Sequence, residues 1–400
     1  MNFPHYIAKR YLFTKSSNNA INIITFIAAL GVVVGTIALF IVLSVFSGLK
    51  EFSLSFINMA DPDLKITAAQ GKSFFFTDSL ENVLNQKDIA VYSKVVEEKA
   101  FFNYKNKSTV ANIKGVDTNY LSINPIDSVI YDGNWLDFDA PTTAVVGNNI
   151  SAQLSMGVYD VINPLKVYVP KPGKGYINNP KNAFNQINIQ PVGVFRLTEE
   201  IDKKYVFVPL ETIQKLLKYK PNELSSLELK LVEGAKPKEV AKSLRVALGN
   251  GFAVKTRMQL NALYYKMINT ENFVSYLIFT LILIIAMFNI VGAIIMMILD
   301  KRENLYTLFS LGTNLKEIKK IFVYQGFLLT FYSLVFGLII AVTIVLLQKF
   351  YGFIMITPSL PYPVKFTYSN MSVVIVTILL LGYIAALIAS SRISKKLIER

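Results

Sequence analysis

The chain has 400 residues, a net charge of +14, one histidine and no cysteine. Hydrophobic residues make up 52% and charged residues 17%, and the mean hydropathy is +0.41; this excludes an ordinary soluble chain and indicates a membrane protein with a sizeable extramembrane domain. With so few ligands, a histidine-centred triad, a zinc site of His and Cys, and a disulfide framework are excluded as well.

Near the start, Phe3, Tyr6, Ile7 and Tyr11 alternate with His5, Lys9 and Arg10. That spacing predicts an amphipathic helix in the cytoplasmic headgroup layer within residues 1–19, although an ordinary positively flanked helix start gives the same pattern. Residues 16–49 then contain no Asp, Glu, Lys or Arg, and a first span is assigned to 20–49. A signal-peptide core runs about 7–15 residues, so this much longer run, which lacks a small-residue cleavage site, reads as a retained anchor. Gly31 and Gly35 share a helix face with Ala28 and Ala38 nearby. Small residues four apart let helices approach closely, which predicts a packing contact within the chain or between protomers.

Residues 50–257 are long enough for an independent domain of mixed α and β pattern. Asp78, Ser79, Leu80 and Glu81 resemble a capping box that starts a helix. Runs 100–104 and 109–116 flank Lys105, Asn106 and Lys107 as a hairpin, and further strands are expected at 144–146, 166–169, 187–195, 205–208 and 226–232. Helices are expected at 149–154, 210–217 and 238–248. Residues 170–180, with Pro170, Lys171, Pro172, Tyr176 and Pro180, are dense in turn formers and predict a projecting connection. Such a loop is either a hairpin tip or a partner-binding element. Glu199, Glu200 and Asp202 beside Lys203 and Lys204 read as a solvated charged turn rather than a catalytic pair.

From Met258 the chain shows no Pro or Gly until Gly292, so a stalk over 258–271 is expected to continue into a second span at 272–299. Residues 300–320 follow as a loop. In it Leu305, Leu308, Phe309 and Leu311 recur at helical spacing after Lys301, Arg302 and Glu303, with Gly312 as a stop. A short amphipathic helix between two spans suits docking in a partner's groove, and equally suits resting on lipid. Asn314 and Glu317 offer a capping box into a third span at 321–348; a short loop at 349–365, a fourth span at 366–391 and a tail at 392–400 complete the chain.

Basic residues concentrate beside the spans. Residues 1–19, 300–320 and 392–400 carry +8 of the +14, which places both termini and the 300–320 loop in the cytoplasm and the large domain outside. The excess charge is thus a topology signal, and no nucleic-acid partner is expected. Gly71, Lys72 and Ser73 do not form a phosphate loop, because the earlier glycine would fall on Ile66. The spans also lack the titratable residues of an ion-coupled transporter. Energy for work must therefore arrive from another subunit, and no catalytic residue, metal or cofactor is expected in this chain.

Three stretches carry a family resemblance: Ala286-Met287-Phe288-Asn289-Ile290-Val291, the loop from Asp300 to Gly312, and Ile318-Lys319-Lys320-Ile321-Phe322-Val323-Tyr324-Gln325-Gly326. They resemble the FtsX/MacB-type ABC permeases. The segment with Lys9, Arg10, Tyr11, Gly31, Gly35 and Leu43-Ser44-Val45-Phe46-Ser47-Gly48 is similar to the first segment of the lipoprotein-releasing (Lol) subgroup, and residues 261–271 are similar to its stalk. Gly133-Asn134-Trp135, Val146-Gly147 and Val192-Gly193-Val194-Phe195 extend the likeness loosely into the outside domain.

The resemblance implies an α+β membrane protein of the bacterial inner membrane, with four transmembrane helices and a large mixed α/β periplasmic domain between the first and second. It implies a second permease protomer, the same or homologous, and a cytoplasmic ABC ATPase dimer holding ATP and Mg, coupled through Glu303 to Leu311. Lipoproteins would pass from membrane lipid to a periplasmic carrier recruited by residues 170–180. Alternatives are another permease of this architecture, in cell-wall hydrolase regulation or efflux, and, from a different class, a membrane receptor or enzyme.

Overall fold

The computed structural model describes residues 3–14, 19–160, 162–171, 183–358 and 360–395. It divides into two compact units, residues 1–52 with 266–400 and residues 53–265.

Helix α1 is Phe3–Phe13 and α2 is Asn19–Ala60. The domain that follows runs β1 (Leu64–Ala68), β2 (Phe74–Phe75), α3 (Asp78–Leu84), β3 (Ile89–Tyr104), β4 (Lys107–Val116), α4 (Tyr120–Ile123), β5 (Ile130–Gly133), β6 (Thr143–Gly147), α5 (Asn148–Leu154), β7 (Leu165–Pro170), β8 (Phe184–Phe195), α6 (Glu199–Asp202), β9 (Tyr205–Pro209), α7 (Leu210–Leu217), β10 (Glu223–Leu224), β11 (Ser226–Leu231), α8 (Pro237–Leu248), β12 (Phe252–Thr256) and α9 (Arg257–Leu260). The chain ends with α10 (Ala262–Asp300), α11 (Arg302–Ser310), α12 (Leu315–Tyr351), β13 (Met355–Thr357), β14 (Leu360–Pro361) and α13 (Tyr368–Ser391).

The domain is built on one mixed sheet in the order β12, β1, β11, β3, β4, β9, β6, β8, β5, with β7 pairing β3 and β8 off that path. Side chains alternate across it with period two. Leu64, Ile66, Ile113, Leu227 and Leu229 face a large apolar core shared with Leu80, Leu84, Ile213, Leu216, Val240 and Leu244 of the covering helices. Val95, Val116, Tyr205 and Phe207 belong to a second, aromatic core with Tyr120, Ile126 and Phe195.

In the other unit, α2, α10, α12 and α13 are long and apolar enough to cross a membrane. One seam of each is buried among the others, including Val32, Leu39, Phe40, Leu283, Ile290, Ile294, Phe322, Leu338 and Ile378. Residues such as Phe26, Phe288, Phe336, Ile339 and Leu380 face outward, as lipid-facing side chains do.

Several expectations are corrected. The α3 cap is Thr77, whose hydroxyl accepts from Leu80 N, so Asp78 stands inside the first turn. Asn314 is the α12 N-cap without a side-chain cap bond, so no capping box with Glu317 forms. The stalk expected from Met258 runs into the second span as one helix only from Ala262, because a separate short helix precedes it. A real capping box at Thr256 and Gln259 starts α9, and Asn261 ends it by donating from its side chain to Arg257 O and to Asp61 Oδ2. Conversely α2 continues eleven residues past Leu49, through a stretch with no Pro or Gly after Gly48.

Candidate functional site

The loop helix α11 is positioned by both its ends. At its exit, Thr313 N donates to Leu308 O (3.1 Å) and Gly312 N to Phe309 O (3.0 Å), a Schellman closure that requires the left-handed backbone Gly312 adopts at φ +93°. At its entry, Lys301 pairs with Asp300 at 2.8 Å, and Arg302 carries a buried Nη2 with no hydrogen-bond partner among the described residues.

The apolar stripe is turned differently from the expected docking face. Leu305 is fully buried, and Leu308 and Phe309 are half-buried against the same bundle core. The unused face presents Glu303, Tyr306, Thr307, Ser310 and Leu311, the last 78% exposed. The reason is geometric: a nine-residue helix between two spans has its own bundle as nearest apolar surface, so most of the stripe is consumed internally. Tyr306 went unnoticed in the sequence because it falls off the leucine spacing.

Helix α1 lies against α12. His5 meets Tyr324 edge to face with ring centroids 5.8 Å apart, Tyr11 approaches Phe322 at 6.5 Å, and Ala8 is fully buried. The Tyr11 hydroxyl, raised by burial and lowered in part by its hydrogen bond to Asn304, links α1 to α11.

The two glycines of the first span part company. A side chain at Gly35 would sit 2.5 Å from Leu283 Cδ2 of α10, whereas Gly31 has nothing within 4 Å. Other tight approaches are made by Gly337, whose added Cβ would lie 2.8 Å from Thr36 Cβ and 2.9 Å from the backbone Val33 O, and by Gly326 against Ile294 and Ala386.

At the far end of the spans, Asn370 donates to Leu43 O (3.0 Å) and Ser47 Oγ (2.9 Å), and Lys365 N donates to Ser44 O. Gln348 brackets the β13–β14 hairpin by donating to Ile354 O and Tyr362 O and accepting from Ile354 N.

In the domain unit, Arg257 gathers the segments that enter and leave it. Its Nε donates to Asp61 O (2.8 Å), its Nη1 to Asn58 Oδ1 (3.0 Å), and its Nη2 pairs with Asp63 Oδ1 (3.1 Å). Nearby, an ionic network crosses four adjacent strands. Lys65 on β1 lies opposite Glu228 on β11, and Glu97 on β3 opposite Lys114 on β4. Lys114 pairs with Glu228 at 2.8 Å and donates to the Tyr120 hydroxyl at 3.0 Å, while Lys65 pairs with Glu97 at 3.0 Å. Asn124 and Asn112 donate to Glu228 and Glu97.

Burial alone would raise the Glu97 carboxyl, but Lys65 and Lys114 overcome it and hold it down at about 2. Burial likewise opposes the Lys114 ammonium, and Glu228 with Tyr205 and Glu97 outweighs it, so its pKa is raised. The motif Gly133-Asn134-Trp135 lies at this face, with Trp135 stacked on Tyr120 at 6.4 Å. This is a structural core, and its charges were not singled out from sequence because each looks like an ordinary polar position of an alternating strand.

The remaining expected positions are quickly placed. Asp202 is buried and accepts from Leu197 N, so the acidic cluster is not wholly solvated; Glu199 pairs with Lys203 at the surface. Pro170 closes β7 opposite Phe184, and Lys171 is exposed, its N–H bonded to Ala183 O. Pro172, Tyr176 and Pro180 lie outside the described residues, as do Lys15 and residues 396–400.

A family model for the MacB-like periplasmic core domain matches residues 25–247, and one for the FtsX-like permease C-terminal region matches 276–398. The chain belongs to the FtsX/MacB-type permeases. Among its relatives, the lipoprotein-releasing system transmembrane protein LolE of Haemophilus influenzae is 26% identical over 358 residues, covering 86% of this chain and 83% of the relative. The LolC proteins of Buchnera aphidicola and Neisseria meningitidis are 22% and 24% identical, over 87% and 84% of this chain and 85% and 80% of theirs. The periplasmic region of MacB from Actinobacillus actinomycetemcomitans aligns at 12% identity with a TM-score of 0.36, over 52% of this permease and 96% of that structure. The permease is thus a multi-pass membrane protein, close to the Lol subgroup, whose inserted domain is of the MacB periplasmic type.

Proposed function

We propose that this permease extracts lipoproteins from the outer leaflet of the bacterial inner membrane and passes them to a periplasmic carrier, driven by a separate ABC ATPase dimer. The observation that carries the reading is the match to LolE and LolC relatives along more than four-fifths of the chain, across both the domain and the helices. In this reading both termini and α11 are cytoplasmic, in keeping with the basic flanks, and the sheet domain is periplasmic.

The coupling contact is the exposed α11 face, with Glu303, Tyr306 and Leu311, while Leu305, Leu308 and Phe309 transmit force because they are packed into the bundle. A second permease protomer completes the transporter, and Gly31 offers an open small-residue face for it. ATP and Mg belong to the partner ATPase; this chain's work is non-catalytic. Residues 170–180 recruit the carrier.

Purification in mild detergent should recover an ATP-binding subunit that is lost on Tyr306→Ala with Leu311→Asp. In proteoliposomes the complex should release a lipoprotein to a soluble carrier only with ATP. Shortening 170–180 should impair that transfer and leave ATP hydrolysis intact; unchanged transfer rejects recruitment there. ATP hydrolysis without lipoprotein release would move the chain to the hydrolase-regulating or efflux branch.

A further inference from the structure

We propose that a groove on the membrane unit holds one phospholipid with an ammonium–phosphate headgroup, in the leaflet on the side of the chain termini, with an acyl chain lying between α2 and α12. A cavity of about 790 Å³ opens there, within the roughly 300–1,000 Å³ of ligand sites. Its terminus-side end is polar and includes Asn22, Asp300, Lys301 and Gln325, while its inner end is apolar, with Phe26, Leu30, Val33 and Phe336.

Three observations favour a lipid. Gln325 is 2% exposed, its Nε2 engages Met297 Sδ at 3.0 Å, and its Oε1 has no donor among the described residues. A buried acceptor without a partner costs about 1–3 kcal/mol, and a primary ammonium carries three donors to supply it. The Asp300–Lys301 pair, 2.8 Å apart, is a fixed dipole that an ammonium–phosphate zwitterion complements in reverse. Finally, the eleven residues from Gln325 to Phe336 rise roughly 16 Å, close to the about 15 Å of one leaflet's hydrocarbon. A helix of a second copy would run through both leaflets. Gly31, the open small residue, is also not part of the groove lining.

The site needs neither ATPase nor lipoprotein, so its failure leaves the release reading standing. To test it, the full chain is stripped of annular lipid in detergent and offered dioleoylphosphatidylethanolamine, dioleoylphosphatidylglycerol or free phosphoethanolamine, with bound mass read by native mass spectrometry. One phosphatidylethanolamine should stay per chain, about fivefold preferred over phosphatidylglycerol, and the free headgroup should not bind. Leu30→Trp, which fills the groove, and Gln325→Leu should each lower retention about fivefold, while Leu347→Trp on the outer face of α12 should not. Circular dichroism checks that each variant is folded. Complete loss of lipid from the unaltered chain, retention in both groove variants as high as in the unaltered chain, binding of free phosphoethanolamine as tight as that of the lipid, or cross-linking of two copies through Leu30→Cys would each overturn the proposal.

Discussion

In the sheet domain the fully buried polar groups include full charges: Lys114 on β4 and Glu228 on β11, 2% and 0% exposed, paired across the intervening strand β3. In the membrane bundle close approaches are made by glycines, among them Gly382 against Thr330, Gly326 against Ile294 and Ala386, Gly35 against Leu283 and Gly337 against Thr36. The difference follows from what surrounds each unit. Water drives the sheet's apolar faces together whatever their register, so paired charges help to select one register out of those that burial alone would allow. Lipid gives helices no such drive, and only close van der Waals fit holds them.

The sharpest way to break this comparison is to remove one member of the buried pair. Glu228→Leu leaves Lys114 buried without its main partner, and the domain should lose about 3–5 kcal/mol. Trp135 is the only tryptophan and stacks on Tyr120 beside the network, so its emission during urea unfolding of the solubilised chain reports the loss. Combining Glu228→Leu with Lys114→Met should recover most of the stability. A double variant as unstable as the single one would show that volume, not charge, organises this face.

Acid tests the same network more gently. Glu97 is held at about 2 against an ordinary value of 4.5, so the unfolded chain takes up the proton first as pH falls. Its contribution is complete above about 4.5 and drains away toward 2, by up to roughly 3 kcal/mol. Unfolding midpoints at about pH 6 and pH 3 should therefore separate more for the unaltered protein than for Glu97→Gln. Equal separation would remove Glu97 from the account.

These contrasts also explain what was legible in the sequence. The four apolar runs announce themselves because a span needs length and the absence of charge, and both are local properties. Helix α7 and strands β6 and β9 were equally readable from local pattern. The buried network was not, because Lys65, Glu97, Lys114 and Glu228 lie far apart in the chain and meet only through the strand order β1, β11, β3, β4. The packing of α11 was not legible for a similar reason: spacing tells that Leu305, Leu308 and Phe309 share a side, but not whether that side meets a partner or its own bundle. The break at Asn261 depends on Asp61, two hundred residues away, as acceptor for its side chain.

The bundle half of the comparison is sharpened by two glycines. Gly337→Leu would drive a side chain against Val33 O, a backbone atom that cannot swing aside, and overpacking of this kind costs about 1–3 kcal/mol. Gly31→Leu meets open space and should leave the thermal midpoint of the single chain in detergent nearly unchanged, while weakening self-association if that face contacts a second protomer. Equal destabilisation by both would mean that the bundle does not discriminate between its small residues.

The smallest effect is the most discriminating, because it holds distance constant. Lys72 pairs with Glu98 at 2.9 Å, almost the separation of Lys114 from Glu228, yet the Lys72 side chain is 77% exposed. Water already solvates that ammonium, so pairing it gains little and removing it strands little. Lys72→Ala should cost only about 0.2–1 kcal/mol and lose even that in high salt, whereas the deficit of Glu228→Leu should persist there because the buried pair is poorly screened. If the two variants responded alike to salt, burial could not be what separates them, and the register role of the inner pair would have no physical basis.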